Sequence, residues 1–201
     1  MAQTGARETI GIMGGSYNPV HVGHLMVASY LSQWGYVDRV WLTLSPQNPV
    51  KDPKSLISDR HRLDMLETAV DGIPDIDVCD IELSMPRPSY TIATLNALAE
   101  RYPEKDFRLV IGSDNWLIFD RWKDSELILG RYGVIVYPRP GYPVAEGTAR
   151  PGMTCVQAPV TDISGTFIRR AIADGKDMNC FVPPGVYSYI TENSLYKTSD
   201  T

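Results

Sequence analysis

The sequence predicts an α/β fold: a single Rossmann-like, doubly wound domain with a mainly parallel sheet and helices on both faces. Three observations carry this prediction. Strand-like and helix-like segments alternate along almost the whole chain. The strand candidates are continuous apolar runs, as expected where a sheet is covered on both sides. A glycine-rich turn joins the first strand to the first helix, where such folds hold phosphate groups. With 201 residues, 43% of them hydrophobic, the chain suffices for one well-packed domain and is short for two. That domain is expected to take in residues 1–201, with its core over about 9–196 and short flexible termini.

Taken in order, residues 9–13 form the first apolar strand candidate, and Leu25, Ala28, Leu31 and Trp34 then recur at threes, a helical spacing that Gly35 stops. Residues 39–44 read as a buried strand followed by a Pro-rich loop over 45–53. Ser58 is a suitable N-cap for a helix with Leu63, Leu66, Ala69 and Val70 on one face. Residues 76–79 make a weaker strand, and a second Pro-rich loop at 85–89 leads into a helix carrying Ile92, Leu95, Leu98 and Tyr102. A strand over 107–111 ends in Gly112-Ser-Asp114, a short helical stretch runs to Leu129, and 132–137 is another buried strand. The segment 138–152 lacks regular patterning; 154–158 suits an edge strand, and two helices follow at about 166–174 and 184–193.

The net charge is −5 without blocks of like charge, so no basic surface supports a nucleic-acid partner. An acidic protein that binds polyanions must concentrate its few positive groups at the site. Cys79, Cys155 and Cys180 are widely spaced, odd in number and lack a Cys-x-x-Cys pattern, which suits reduced thiols in the cytoplasm. The first residues lack the apolar stretch of a signal peptide, and no run approaches the ~18 apolar residues that span a membrane. A cytoplasmic protein with no membrane partner is expected; the sequence leaves open whether it forms a homo-oligomer.

Residues 14–24, Gly-Gly-Ser-Tyr-Asn-Pro-Val-His-Val-Gly-His, are the most informative segment. Unpaired backbone N–H groups and a helix N-terminus attract anions there, Gly14 and Gly15 let the chain bend and a ligand approach, and His21 and His24 add two imidazoles. Two surface histidines beside a glycine turn would be the plain alternative. In a doubly wound sheet, three further pieces are expected at the same cleft. Lys51 lies in the loop after the second strand, and Gly112 with Asp114 ends a later strand, where a carboxylate suits ribose hydroxyls. The third is Asp162-Ile-Ser-Gly-Thr-Phe-Ile-Arg-Arg170, where hydroxyls and amides open a helix and Arg169 can grip phosphate with a planar fork.

With His21-Val-Gly-His24 and Ile163-Ser-Gly-Thr-Phe-Ile-Arg169, the chain resembles the nicotinate-mononucleotide adenylyltransferases of the nucleotidyltransferase α/β-phosphodiesterase superfamily. The resemblance extends over roughly residues 9–196 and includes Pro88-Ser-Tyr-Thr91, Ile111-Gly-Ser-Asp114, Trp122 and Arg139-Pro-Gly-Tyr-Pro143. It departs at Gly165, where a second serine is usual, and at Lys123, where an aromatic residue often follows the tryptophan. The resemblance implies transfer of AMP from ATP to nicotinate mononucleotide in NAD biosynthesis, with Mg²⁺ carried by ATP and no protein metal site. It assigns catalysis to His21, His24 and Arg169. The ATP site would comprise Gly14, Gly15, His21, His24, Gly112, Asp114, Ser164, Thr166 and Arg169. The mononucleotide would meet Ser16, Tyr17, Lys51, Tyr90, Thr91 and Trp122.

A phosphopantetheine adenylyltransferase shares the histidine turn but leaves residues 88–91 with Trp122 unexplained. A non-catalytic dinucleotide module would need Gly-x-Gly-x-x-Gly, which Gly11-Ile-Met-Gly-Gly15 lacks. A zinc site fails on ligands, since His61 is the only other histidine and the cysteines are dispersed.

Overall fold

A computed structural model describes residues 7–46, 56–145 and 149–197. Its six strands all run parallel, in the order β3-β2-β1-β4-β5-β6. They are β1 (Glu8–Gly15), β2 (Arg39–Leu44), β3 (Ile76–Cys79), β4 (Lys105–Gly112), β5 (Val134–Tyr137) and β6 (Met153–Cys155). This order makes the sheet doubly wound, with its switch point between β1 and β4. The central strands pair from Glu8 opposite Lys105 to Met13 opposite Val110. β1 also pairs with β2 as far as Gly15 opposite Leu44, so it projects to the rim of the cleft.

Period-two alternation along the central strands feeds two cores. On one face, Met13 and Val110 meet Val27, Ala28 and Leu31 of α1 (Val22–Gln33) and Met65, Leu66 and Ala69 of α2 (Asp59–Val70). The same core takes Ile168 and Ile172 from α6 (Gly165–Ala173) and Val186 and Ile190 from α7 (Val186–Glu192). On the other face, Ile10, Ile12, Leu109 and Ile111 pack on Ile92, Leu95 and Leu98 of α3 (Thr91–Arg101). Trp116 of α4 (Ser113–Trp116) and Ile128 of α5 (Ser125–Arg131) complete that layer. A Cβ at Gly11 would lie 3.1 Å from Val110 Cγ2 and 3.4 Å from Val37, so the packing on the α1 side is tight there.

Several boundaries differ from the sequence expectation. Trp34 is 66% exposed although it continues the run of threes. Each three-residue step rotates about 60° back around a helix, so by Trp34 the series has left the face that Ala28 and Leu31 bury. The helical stretch before Leu129 is broken into α4, a 3₁₀ turn at Phe119–Arg121 and α5, with left-handed backbone at Asp124 (φ 55°) marking the last break. β5 begins at Val134, not 132, because the N–H groups of Tyr132 and Gly133 both donate to Ile128 O and finish α5. β6 is shorter than 154–158 and starts one residue earlier. The cap at Ser58 is present: its Oγ accepts from His61 N at 3.3 Å.

Candidate active site

The β1–α1 turn forms the floor of the cleft. Gly14 and Gly15 remain extended as the last residues of β1, and the backbone reversal falls instead on Tyr17 (φ 44°) and Asn18. This corrects the expectation that the glycines make the bend. Gly15 has a different task, since a Cβ there would meet the Tyr17 ring at 2.9 Å. As a side-chain contact to ligand, Tyr17 is also a correction. Its side chain is 1% exposed and its hydroxyl donates to Met13 O, so the ring supports the turn from beneath and offers the cleft no free face.

His21 is the N-cap residue of α1 and stacks on His24, with ring centroids 3.7 Å apart, while Tyr17 meets His24 edge-on. The backbone N–H of His21 donates to His24 Nδ1 at 3.2 Å. An accepting Nδ1 places the proton of a neutral His24 on Nε2, which makes Nε2 a donor. His21 is only 4% exposed, and its Nδ1 has no hydrogen-bond partner among the described residues. Burial, reinforced by the charge of Arg139, lowers the His21 pKa to about 4. At neutral pH this side chain is therefore uncharged. Gly23 keeps the helix start close to the 159–161 segment, because a Cβ would lie 2.9 Å from Thr161 Cγ2.

At the end of β4, Asp114 Oδ1 is buried, 3.7 Å from Arg139 Nε, and has no hydrogen-bond partner among the described residues. An unmatched buried carboxylate oxygen at a strand end suits a ribose hydroxyl donor. Gly112 makes room for this arrangement, since a Cβ would meet that same Oδ1 at 2.4 Å. Arg139 reaches the cleft from beyond β5 and lines a narrow crevice with His21, His24 and Thr161. No role was expected for Arg139 in the sequence reading; its only signal was the Arg-Pro-Gly-Tyr-Pro run after an apolar strand.

The N-terminus of α6 abuts the same turn. Ser164 caps it by accepting from Phe167 N at 3.2 Å. Arg169 turns inward, donating from Nη1 to Asn18 O at 2.7 Å and from Nη2 to Thr166 Oγ1 at 3.2 Å. Half-burial lowers its pKa from the ordinary guanidinium value. A Cβ at Gly165 would meet Asn18 O at 2.7 Å, so the glycine that departs from the usual serine lies where the helix packs tightly on the turn. Tyr196 secures the turn from the other side by donating to Asn18 Oδ1 at 2.8 Å. Asn18 and Tyr196 escaped sequence reasoning, because only the folded chain brings residue 196 to residue 18.

Tyr90 is the N-cap residue of α3, 46% exposed, and Thr91 begins the helix. Lys123 Nζ lies 4.7 Å from the Tyr90 ring centroid, which links the α3 start to the segment carrying Trp122. Trp122 is half-buried, tilted against Phe119 at 5.6 Å. Buried Glu82 accepts from Ser89 Oγ and Thr94 Oγ1, fixing the approach to Tyr90. Ser16 stands at the rim beside Gly15, and its carbonyl accepts from Arg62. Lys51 lies outside the described residues. A separate cavity of about 470 Å³ opens beside the N-terminal ends of β1, β2 and β4. Its charges are largely matched already, Arg39 with Asp75 and Asp77 and Glu8 with Lys105, and it is remote from the histidines.

Residues 12–171 match the family model described as cytidylyltransferase-like. A protein of Bacteroides fragilis, named as a probable nicotinate-nucleotide adenylyltransferase, is 45% identical over 94% of this chain and 94% of its own length. One of the same name from Bacteroides thetaiotaomicron is 46% identical over 96% and 95%. The solved structure of Plasmodium falciparum nicotinic acid mononucleotide adenylyltransferase, complexed with NaAD, shares the fold with a TM-score of 0.79 at 21% identity, covering 94% of this chain and 97% of that one. With relatives this similar over nearly its whole length, the chain belongs to the cytidylyltransferase-like family and, within it, to the nicotinate-nucleotide adenylyltransferases.

Proposed function

We propose that this protein, as one nucleotidyltransferase domain, transfers the AMP of ATP to nicotinate mononucleotide, giving nicotinate adenine dinucleotide and pyrophosphate in NAD biosynthesis. The observation that carries this reading is the meeting of two helix N-termini, those of α1 and α6, around Asn18, with Arg169 between them and the His21–His24 stack alongside. Such a pocket suits a polyphosphate. The names of the Bacteroides relatives point to the same substrate.

An oxygen of the mononucleotide phosphate attacks the α-phosphorus of ATP in line, and the bond from that phosphorus to the pyrophosphate oxygen breaks. The attacking phosphate has a second pKa near ~6 and is already ionised, so no general base is needed. What remains is positioning and charge stabilisation. His24 donates from Nε2 to the α-phosphoryl oxygens, and His21, held neutral, supports its ring. Arg169, Thr166 and the α6 amides capped by Ser164 hold the leaving pyrophosphate. Gly14 and Gly15 let ATP approach the strand end, and Asp114 beside Gly112 accepts from its ribose. Ser16 and Lys51 meet the mononucleotide phosphate; Trp122, Tyr90 and Thr91 frame the pyridine ring.

Among the described residues no three His, Cys, Asp or Glu side chains gather to hold a metal. A Mg²⁺ carried on ATP oxygens and water would supply charge neutralisation of the phosphates. A net charge of −5 and three unpaired cysteines suit a cytoplasmic protein that works on small molecules without nucleic acid.

The test is pyrophosphate release from ATP and Mg²⁺ with the acid and amide mononucleotides in parallel. The acid should be favoured by roughly 10-fold or more in kcat/KM, because an unpaired buried polar group costs ~1–3 kcal/mol. Equal turnover of both would remove the specificity, and turnover of neither would remove the reaction.

A further inference from the structure

Arg62 is one of the largest side chains buried in the protein, with no part of it exposed, and it does not touch the cleft itself. Its Nη1 donates to Ser16 O at 2.7 Å and to Ser45 O at 2.9 Å. Its Nη2 donates to Pro46 O at 3.1 Å and to Asp59 Oδ1 at 2.5 Å. Three carbonyl oxygens from the loops after β1 and β2 thus converge on one guanidinium. Without it they would be buried acceptors facing one another.

The chain of contacts continues outward. The second oxygen of Asp59 accepts from Arg87 Nη2 at 2.8 Å. Arg87 immediately precedes Pro88-Ser-Tyr-Thr91, and Ser89 is held from the other side by Glu82. One carboxylate therefore joins the phosphate turn to the segment that starts α3. The outer limb is open to water, with side-chain exposures of 50% for Arg87 and 31% for Asp59. Exposed pairs of this kind add little to stability, so Arg87 can be changed without unfolding the protein.

The geometry points to Arg87, acting through Asp59 and Arg62, as a positioning residue that sets the Tyr90–Thr91 segment against the Ser16 turn and so tunes affinity for the mononucleotide. This inference rests on the reaction proposed above. Arg87→Gln should raise KM for the mononucleotide about 3–10-fold, with kcat and KM for ATP within about twofold and Tm within about 2 °C. Asp59→Asn should raise the same KM and also lower Tm, since it strips the carboxylate from buried Arg62. Adding Arg87→Gln to Asp59→Asn should change the mononucleotide KM no further, because both act along one path.

Arg60→Gln, on the same helix but paired with Asp64, is the control and should leave every value unchanged. Amide hydrogen exchange decides the matter without substrate. Arg87→Gln should speed exchange both in 85–92 and in 14–21, and Arg60→Gln in neither. Unchanged exchange at 14–21, an unaltered mononucleotide KM, or additive effects in the double variant would overturn the relay. A wild type that makes no dinucleotide would instead overturn the reaction, leaving the exchange result to judge the relay alone.

Discussion

His24 and His21 differ in role because they differ in burial. His24 is partly exposed, with Nδ1 engaged by the backbone and Nε2 the donor. Loss of one donor aimed at transition-state charge costs about 10²–10³-fold in rate, so His24→Ala should lower kcat by that factor while KM for ATP changes much less. Steady-state kinetics with varied ATP check this, and near-normal turnover would leave the histidine with a structural role only. His21 is protonated only near pH 4, against an ordinary value of 6.5. Between those values the unfolded chain binds a proton that the folded chain refuses. Stability should therefore fall as pH falls through that window and level off below about 4, by on the order of 3 kcal/mol from this group. Urea melts at pH 7 and pH 4.5 should show a steeper loss for the wild type than for His21→Asn, which cannot titrate. At this scale the sequence was legible in the histidine and Ser-x-Thr-x-x-Arg motifs. It was silent on the burial of Tyr17, whose ring fills the core.

Helices α1 and α6 show how element positions make the site. Each begins at the carboxyl end of the sheet, and each is held close to the opposite chain by a glycine: Gly23 faces Thr161, and Gly165 faces Asn18. A Cβ at Gly23 would stand 2.9 Å from Thr161 Cγ2 and 3.1 Å from His21 Nδ1, so the helix start or the 159–161 segment must shift. Overpacking of this kind costs about 1–3 kcal/mol. Gly23→Ala should lower Tm by on the order of 5 °C and kcat/KM by about 10-fold or more, because it displaces His21 as well. Calorimetry and kinetics on the same preparation check both parts; a stable variant with full activity would show that the segment yields freely. The short elements after β4 were less legible. Apolar spacing there is compatible with one helix, and only the left-handed residue Asp124 and the packing of Trp116 on Phe119 divide it.

At the scale of the whole molecule, the two cores share their central strands. β1 sends Ile10 and Ile12 to one side and Met13 to the other, and β4 does the same with Leu109 and Val110. Neither layer can melt without stripping the sheet from the other, so unfolding should be a single cooperative step. Tryptophan emission tests this, because Trp41, Trp116 and Trp122 all belong to the α3-side core while Trp34 is exposed. Fluorescence and far-UV circular dichroism should give coincident urea transitions; an earlier fluorescence midpoint would mean that the α3 layer unfolds separately. The sequence by itself determined the α/β class, most of the strands, the glycine–histidine turn and the Arg169 motif, because periodicity and turn chemistry are local properties. Only the tertiary structure decided the strand order, the orphaned oxygen of Asp114, the approach of Arg139 to His21, and the Arg62–Asp59–Arg87 chain. Each of those depends on residues far apart in sequence that meet only when parallel strands bring their carboxyl ends to one rim.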